Sequence, residues 1–277
     1  MSDIIQKLMH STIQHGLVNQ RIYLMKLEPL DLPRIIPELD ALAQQSRYKK
    51  ILAKIPGKHK AVFTKAGYNQ EGLIRKFFRD RDDALFMTKY FSRHRKNMVD
   101  EDNIKGILSL ATHRKEKQAI KRFDPNQTFH LCRSADAHEM SQLYKTVFKT
   151  YPFPVFDPRY LIESMNRHSR YFCVRKNGRM ISIAASEIDD DNQSVEMTDF
   201  ATLPKYRGLG LASYLLAEME REMLQQSMRT LFSIARALSP AMNMTFGNYG
   251  YLYGGTLINN TNISGRIESM NVWYKHL

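Results

Sequence analysis

The chain has 277 residues, 43% hydrophobic and 10% aromatic, a composition that predicts a folded globular protein and excludes a mainly disordered one. The net charge is +13 and lies unevenly: residues 1–127 hold 25 Lys and Arg against 14 Asp and Glu, whereas residues 128–277 hold 16 against 14. No window approaches the roughly 18 unbroken apolar residues of a membrane span, and the N-terminus lacks the pattern of a secretory signal, so we expect a cytoplasmic protein with no membrane partner.

The first half of the chain carries alternating strand and helix patterns. RIYLMKLE (21–28) predicts a strand, LPRIIPELDALAQQ (32–45) a helix and YKKILAKIP (48–56) another strand. The spacing Phe63-x-x-x-Gly67-Tyr68-x-x-x-Gly72 recurs as Phe246-x-x-x-Gly250-Tyr251-x-x-x-Gly255, and DALFMTKYF later parallels ESMNVWYKHL. These matches predict an internal repeat whose first copy starts too late to supply the opening strands of the second.

Residues 93–127 join the two copies and carry much of the basic charge. Ile104–Arg122 predicts a helix with five positive charges within nine residues: Arg114, Lys115, Lys117, Lys121 and Arg122. A solvated linker helix is the favoured interpretation. Nucleic-acid contact is the disfavoured alternative, because no helix-turn-helix pattern or aromatic-interleaved basic stripe accompanies the charge.

From residue 128 onward the elements follow one another regularly. TFHLCRSA predicts a strand, residues 136–149 a helix, and YPFPVFDP a loop before a helix from Arg159. Asn177-Gly178 predicts a hairpin turn, SVEMTDFAT the next strand, and a glycine-containing stretch leads into a long helix. With RTLFSIAR, a helix from Ser239-Pro240 and two last strands, the predicted order is β-α-α-β-β-β-α-β-α-β-β, a mixed α/β sheet.

The stretch PKYRGLGLASYLL (204–216) is typical of a phosphate-binding turn. It is not a P-loop, because Leu211-Ala212 follow the second glycine where Lys-Ser/Thr is needed. A dinucleotide fingerprint fits weakly, since Ser213 takes the place of the third glycine and no acidic residue ends a second strand about 20 positions later. Arg207-x-x-Gly210-x-Ala212 between a strand and a long helix fits a turn that holds the diphosphate of coenzyme A, whose oxygens meet backbone N–H groups at a helix N-terminus.

This motif in its strand-turn-helix setting resembles the acetyl-CoA-binding motif of the GNAT N-acetyltransferases. Longer segments resemble the β-lysine N-acetyltransferases along nearly the whole chain: YPFPVFDPRYL, EMTDFATLPKYRGLGLA, ARALSPAMNMTFGNYGY, GRIESMNVWYKHL, GYNQEGLIRKFF and ALFMTKYF. The resemblance implies a GNAT fold over 128–277, a degenerate half-GNAT repeat over 1–92 and a helical linker over 93–127. It also implies acetylation of the ε-amine of β-lysine, which lysine 2,3-aminomutase supplies, to give a compatible solute.

The resemblance implies how acetyl-CoA is held. The pantetheine arm pairs like an added strand with the backbone of Phe200, Ala201 and Thr202, and Asn243 offers an amide contact. The diphosphate lies on the turn formed by Arg207, Gly208, Leu209, Gly210, Leu211, Ala212 and Ser213. No metal is expected, since the two cysteines lack the paired spacing of a zinc site.

The reaction needs a group that takes the proton of an ε-ammonium, whose pKa is near 10.4. Glu196 and Asp199 lie on the strand before the turn, on opposite faces if that strand is regular, and either is a candidate base, with Glu196 preferred. GNAT enzymes often place a tyrosine acid where this chain has Phe246, so Tyr249 or Tyr251 is the substitute, or no acid is used.

An amino-acid acceptor also presents a carboxylate, which suits an arginine. Arg236 and Arg159 are the predicted partners, and Tyr151 of the proline-rich loop is a further substrate-binding candidate. Other amines remain possible acceptors, as does a nucleic-acid-associated regulator with a GNAT sensor module. The sequence leaves open a homodimer.

Overall fold

The computed structural model describes residues 3–113 and 126–277. Within these ranges thirteen strands form one mixed sheet. The first half contains β1 Ile4–Leu8, β2 Ser11–Gly16, β3 Arg21–Lys26, α1 Ile35–Gln45, β4 Lys50–Pro56, α2 Lys60–Lys65, β5 Asn69–Phe78 and β6 Asp82–Tyr90. It is followed by α3 Arg93–Lys96 and α4 Glu101–Thr112.

The second half contains β7 Gln127–Leu131, α5 Ala137–Val147, α6 Pro158–Arg167, β8 Ser169–Lys176, β9 Arg179–Asp189, β10 Ser194–Thr202, α7 Leu211–Gln225, β11 Thr230–Arg236, α8 Pro240–Asn248, β12 Leu252–Ile263 and β13 Arg266–His276. This is the predicted order of elements, and the mixed α/β sheet is confirmed. The predicted hairpin joins β8 to β9, where Asn177 and Gly178 both have positive φ.

The strand order is β1-β2-β3-β4-β6-β5-β12-β13-β11-β10-β9-β8-β7. The first half runs inward from its edge as β1-β2-β3-β4-β6-β5, and the second half, inside its edge strand β7, runs inward in the same order as β8-β9-β10-β11-β13-β12. The two halves meet where β5 pairs with β12. The expectation that the first half starts too late for the opening strands was wrong, because β1 and β2 supply them. β1 is an exposed edge strand, so its sequence shows no alternation of buried and exposed residues.

Among the described residues, the first half has no counterparts of β7, α5 and α6, and it has no glycine turn. A short 3₁₀ turn, Pro29–Asp31, stands between β3 and α1, as Pro204–Tyr206 stands between β10 and the glycines. The predicted basic linker helix begins at Glu101 rather than Ile104, and its five clustered basic residues lie outside the described ranges.

Helices cover one face of the sheet in each half, and the uncovered faces pack against each other. Ile22, Leu24, Ile51 and Ala53 point toward α1. Their neighbours on the opposite face join residues of the second half in a shared core that includes Tyr23, Leu52, Phe77, Phe86, Phe232, Met270 and Val272. Since side chains alternate across a strand, each half can use one face for its own core and the other for its partner half.

Three buried cations, two from the first half and one from α3, bind the irregular middle of β12. β12 loses its register against β13 between Leu257 and Thr261. The carbonyl oxygens of the three intervening residues accept hydrogen bonds from Lys50 at 2.7 Å, Arg95 at 2.6 Å and Arg21 at 2.9 Å. Burial lowers the pKa of Lys50 to about 8 and those of both arginines to about 10, yet all three stay charged at neutral pH. Some of the positive charge of the first half therefore has a structural role.

Among the described helices, none combines the length and the apolar character that a membrane crossing requires.

Candidate active site

The two central parallel strands of the second half separate partway along their length. β10 pairs with β11 only through Ser194–Glu196 and Thr230–Phe232, although β10 continues to Thr202 and β11 to Arg236. Beyond this point β10 contains a bulge, in which Asp199 and Phe200 stand opposite Ala184 alone. Asp199 has φ 56°, a left-handed conformation that non-glycine residues rarely adopt. The gap leaves one backbone edge of β10 open to an added strand.

Two cavities meet at this gap. The larger has a volume of about 560 Å³ and the smaller about 80 Å³, and Tyr151, Thr198, Ile234, Ile263 and Met270 line both. The smaller cavity also borders Asp199, Phe200 and Phe246. The larger one lies between the two halves of the chain, and the first half contributes Thr12, Gln14, Arg21, Tyr23, Met25, Lys26, Lys54 and Phe77 to its wall.

Three carboxyl groups with raised pKa values gather at the cavities. Glu187 of β9 is the cross-strand neighbour of Glu196 on β10, and both line the larger cavity. Burial raises the pKa of Glu196 to about 7, with Lys54 opposing and Asp199 reinforcing the shift. Burial and the charge of Glu196 raise the pKa of Glu187 well above its ordinary value. Neither glutamate is hydrogen-bonded to a residue that the structure describes, so both can meet a cation or a proton.

Asp199 lies in the bulge of β10 and borders the smaller cavity. Tyr151 Oη donates a hydrogen bond to Asp199 Oδ1 at 2.6 Å, and Thr198 Oγ1 donates a second at 3.2 Å. Burial raises the pKa of Asp199 to about 6, against the effect of these two hydrogen bonds. The expectation that Glu196 and Asp199 lie on opposite faces held only for a regular strand, and it does not apply here because β10 is bulged between the two residues.

The glycine turn presents an open helix N-terminus. Gly208 and Gly210 have φ 75° and 78°, and a Cβ added to either would meet no atom within 4 Å. Glycine is therefore needed at these positions for the left-handed backbone, and the space beside it is free for a ligand. Gly210 precedes α7, and no described side chain caps the helix. The first-turn amides thus suit an anion such as a diphosphate.

Comparison with known proteins identifies the family. Residues 137–244 match the model of the Acetyltransferase (GNAT) family. The chain is 39% identical over 267 residues to a β-lysine N(6)-acetyltransferase of Methanococcus maripaludis, covering 96% of each chain. It is 30% identical over 258 residues to the enzyme of that name from Methanosarcina mazei, covering 86% of this chain and 95% of that one. N-acetyltransferase YodP of Bacillus subtilis is 32% identical over 96% of each chain.

The chain belongs to the GNAT acetyltransferase family. It is an N-acetyltransferase that uses acetyl-CoA and a small-molecule amine, and its resemblance to the β-lysine N-acetyltransferases extends over almost the whole chain. Acetyl-CoA supplies an activated acetyl thioester. The uncapped turn at Gly208–Gly210 and the open edge of β10 fit its diphosphate and its pantetheine arm.

The predicted cofactor-binding residues of this acetyltransferase differ in their hydrogen bonds and in their exposure. The backbone of Phe200, Ala201 and Thr202 lies at the gap between β10 and β11. Arg207 donates from Nε to Thr202 O at 3.2 Å beside the glycine turn, and Ser213 Oγ lies 3.4 Å from Thr245 Oγ1. In the rest of the turn, Leu209 is exposed, Leu211 packs into the core and Ala212 is half-buried.

Asn243 does not offer the predicted amide contact to pantetheine. Its Nδ2 donates to the carbonyl oxygens of Arg236 at 2.9 Å and Ser239 at 2.8 Å, and its Oδ1 accepts from Asn271 Nδ2 and Trp273 Nε1. The side chain is fully buried and fully hydrogen-bonded. We therefore correct its role to one of anchoring α8 to β11 and β13.

Of the predicted substrate-binding residues, Tyr151 lies in the site and the two arginines are engaged elsewhere. Arg236 borders the smaller cavity, but its guanidinium binds both oxygens of buried Glu268 at 2.8 and 2.7 Å. Arg159 has a highly exposed side chain that pairs with Asp157 at the start of α6, and it lines neither cavity. Neither arginine presents a free cation to an acceptor carboxylate.

Tyr249, the predicted acid, also lines neither cavity. It is half-buried, and burial together with Glu220 raises its pKa. Phe246 occupies the cavity wall in T-shaped contacts with Phe200 and Tyr251. The position that carries a tyrosine in many GNAT enzymes thus contacts the site here without a hydroxyl group.

Sequence analysis missed Glu187 and Lys54. Each is a charged residue next to buried residues of its strand: Glu187 directly follows the buried run ISIAAS, and Lys54 lies between buried residues of KILAKIP. A charge in such a run is costly unless it has a partner or a function, and this pattern could have identified both residues.

Proposed function

We propose that this acetyltransferase transfers an acetyl group from acetyl-CoA to the ε-amine of β-lysine. The observation that supports this most is the acidic cavity at the gap between β10 and β11, where Glu187, Glu196 and Asp199 meet. β-Lysine carries two ammonium groups and one carboxylate. Clustered carboxylates suit the ammonium groups, and the pKa values of the carboxylates fall when a cation approaches.

We propose Glu196 as the general base. Near pH 7.4 only about one ε-amine in a thousand is neutral, a deficit of about 4 kcal/mol that a base beside the amine reduces. A carboxylate with a pKa of about 7 is half ionised near neutral pH and takes up a proton better than an ordinary glutamate. Asp199, held by Tyr151 and Thr198, positions the amine at the meeting point of the two cavities.

We place the thioester of acetyl-CoA in the smaller cavity and the amine acceptor in the larger one. Phe246 offers no proton there, so the thiolate of coenzyme A, with a thiol pKa near 8.5, leaves without a dedicated acid. Cytoplasmic location, a homodimer and metabolic pairing with lysine 2,3-aminomutase stay predictions.

Purified protein supplied with acetyl-CoA tests the proposal. Thiol release should be fastest with β-lysine, and nuclear magnetic resonance of the product should show the acetyl group on the ε-nitrogen. Lysine, pentane-1,4-diamine and spermidine form the comparison panel. Faster release with a polyamine would transfer the proposal to that acceptor class, and no release with any of the four would refute it.

A further inference from the structure

The first half of the chain forms one wall of the acceptor cavity. Eight of its residues line that cavity, opposite the carboxylates of β9 and β10. Arg21 and Lys26 are already engaged: Arg21 Nη1 binds Asn260 O and Thr261 Oγ1, and Lys26 Nζ pairs with Asp191 at 3.0 Å. The charges of these two residues are therefore neutralised or used by the fold.

Lys54 differs from these neighbours. It lies in β4 with buried residues on either side, and its ammonium has no hydrogen bond or ion pair with any residue that the structure describes. The Nζ atom lies 5.0 Å from the ring centroid of Phe77 and 5.7 Å from that of Phe232. Burial lowers its pKa, an effect that Glu196, Asp189 and Glu187 oppose. A half-buried cation with only aromatic faces beside it lacks a full counter-charge.

The position of Lys54 fits a ligand with both signs of charge. Phe232, under the ammonium, is the register partner of Glu196, so the cation and the acidic cluster share one cavity. An amino acid with a distal amine would place its ammonium groups toward the carboxylates and its carboxylate toward the cation. Arg159 and Arg236, the cations expected for this task, are paired with Asp157 and Glu268.

We propose that Lys54 binds the carboxylate of the acceptor, so that the first half of the chain selects amino acids over simple diamines. This inference rests on the proposed function, since it assumes an acceptor with a carboxylate. Lys54 also holds down the pKa of Glu196, and that second effect acts on every acceptor alike. A comparison of two acceptors therefore separates the two effects.

The test measures kcat/KM for β-lysine and for β-lysine carboxamide, each on the pH plateau of the enzyme used. We expect the wild-type enzyme to prefer the acid by on the order of 30-fold, the usual effect of one desolvated charge pair. Lys54→Met should abolish this preference through a higher KM for the acid, while the rate with the carboxamide stays within about threefold. Lys54→Arg should keep the preference. Lys60→Met, the same change at an exposed residue of α2, serves as the control.

A Lys54→Met enzyme that still prefers the acid would overturn the assignment. A wild-type enzyme that acetylates acid and carboxamide equally well would overturn it too, and would leave the proposed function standing. That second outcome needs no variant, so the inference can be refuted even if Lys54→Met fails to fold. A wild-type enzyme that acetylates neither acceptor would refute the proposed function and this inference together.

Discussion

Replacing Glu196 by glutamine removes the proposed base and leaves the shape of the cavity almost unchanged. The structure gives the wild-type group a pKa of about 7. The base acts when ionised, so kcat/KM should rise with pH and level off above pH 7. At pH 6 about one carboxylate in ten is ionised, and the rate should be about tenfold below the plateau.

The Glu196→Gln enzyme should lose about 10²- to 10⁴-fold in kcat/KM at pH 8, the usual contribution of a general base, and the rise near pH 7 should disappear. Thiol release at saturating acetyl-CoA, measured from pH 5.5 to 9, gives both quantities. Glu163→Gln, an exposed change on α6, is the matched control and should keep the wild-type profile.

Asp199 is the other candidate base, and burial raises its pKa as well. Because the two carboxyl groups influence each other's titration, the variants rather than the pH midpoint separate the two assignments. If Asp199 were the base, Asp199→Asn, and not Glu196→Gln, would remove the pH dependence. A Glu196→Gln enzyme that loses less than about tenfold and keeps its pH profile would refute our reasoning.

Further predictions concern the glycine turn, the contact between the two halves at Gly255, and the dependence of the stability of the fold on pH. Gly210→Ala should raise the KM for acetyl-CoA on the order of tenfold. The control Gly178→Ala introduces the same left-handed strain next to open space, but in a distant hairpin. An equal rise in KM for Gly178→Ala would contradict the assignment of the glycine turn to acetyl-CoA. Gly255→Ala brings a Cβ against the Glu71 carbonyl oxygen between the two halves, and it should lower the free energy of unfolding, measured in urea, by about 3 kcal/mol. The control Gly265→Ala should lower it by about 1 kcal/mol, and equal losses would refute the close approach at Gly255. Folding raises the pKa of Glu196, so the ionisation of this group lowers the stability of the fold as pH rises through 7. Glu196→Gln should therefore stabilise the fold by up to about 3 kcal/mol at pH 8.5 and by little at pH 4.5. Equal effects at both pH values would contradict this.

The sequence predicted what depends on local pattern. The order of elements in the second half follows from periodicity, and the glycine turn was recognisable because its left-handed residues need glycine. A repeat was predicted where buried aromatic residues and glycines recur at fixed spacing, and the matching strand order of the two halves supports it. β1 was not predicted because an exposed edge strand has no alternation to detect, and β2 was not predicted because its sequence, STIQHG, is largely polar although the fold buries it.

The acidic site depends on pairing between strands, and a single sequence does not reveal pairing. The bulge at Asp199 exists only relative to β9, so the sequence could place this carboxylate only on the condition of a regular strand, which the fold does not meet. Arg236 and Asn243 carry the right chemistry for their predicted roles. Their partners, Glu268, Asn271 and Trp273, lie about 30 residues away in sequence, and only the fold shows that these side chains are already engaged.

The two halves share a strand order and have diverged at the turn after the third strand. In the first half, residues 32–34 follow the Pro29–Asp31 turn where the second half has its glycines. The buried Asp31 carboxylate accepts hydrogen bonds from the backbone N–H groups of His10 and Ser11 and from the Ser11 hydroxyl. Burial raises the pKa of Asp31, but these hydrogen bonds and that of the His10 side chain prevail and lower it. A carboxylate of the chain itself thus satisfies nearby donors, and its charge would repel a diphosphate.

The helix-free face of the first half packs against the second half. A helix-free sheet face needs a cover, and the equivalent face of the second half carries the acidic groups of the site. Packing the two faces together buries the aromatic residues of both and forms the walls of the cavity beside Glu187 and Glu196. The partial burial of that space strengthens the charge interactions in it. On our proposal, a first half without the glycine turn can therefore still contribute to the reaction, by forming the wall against which a doubly charged acceptor is aligned.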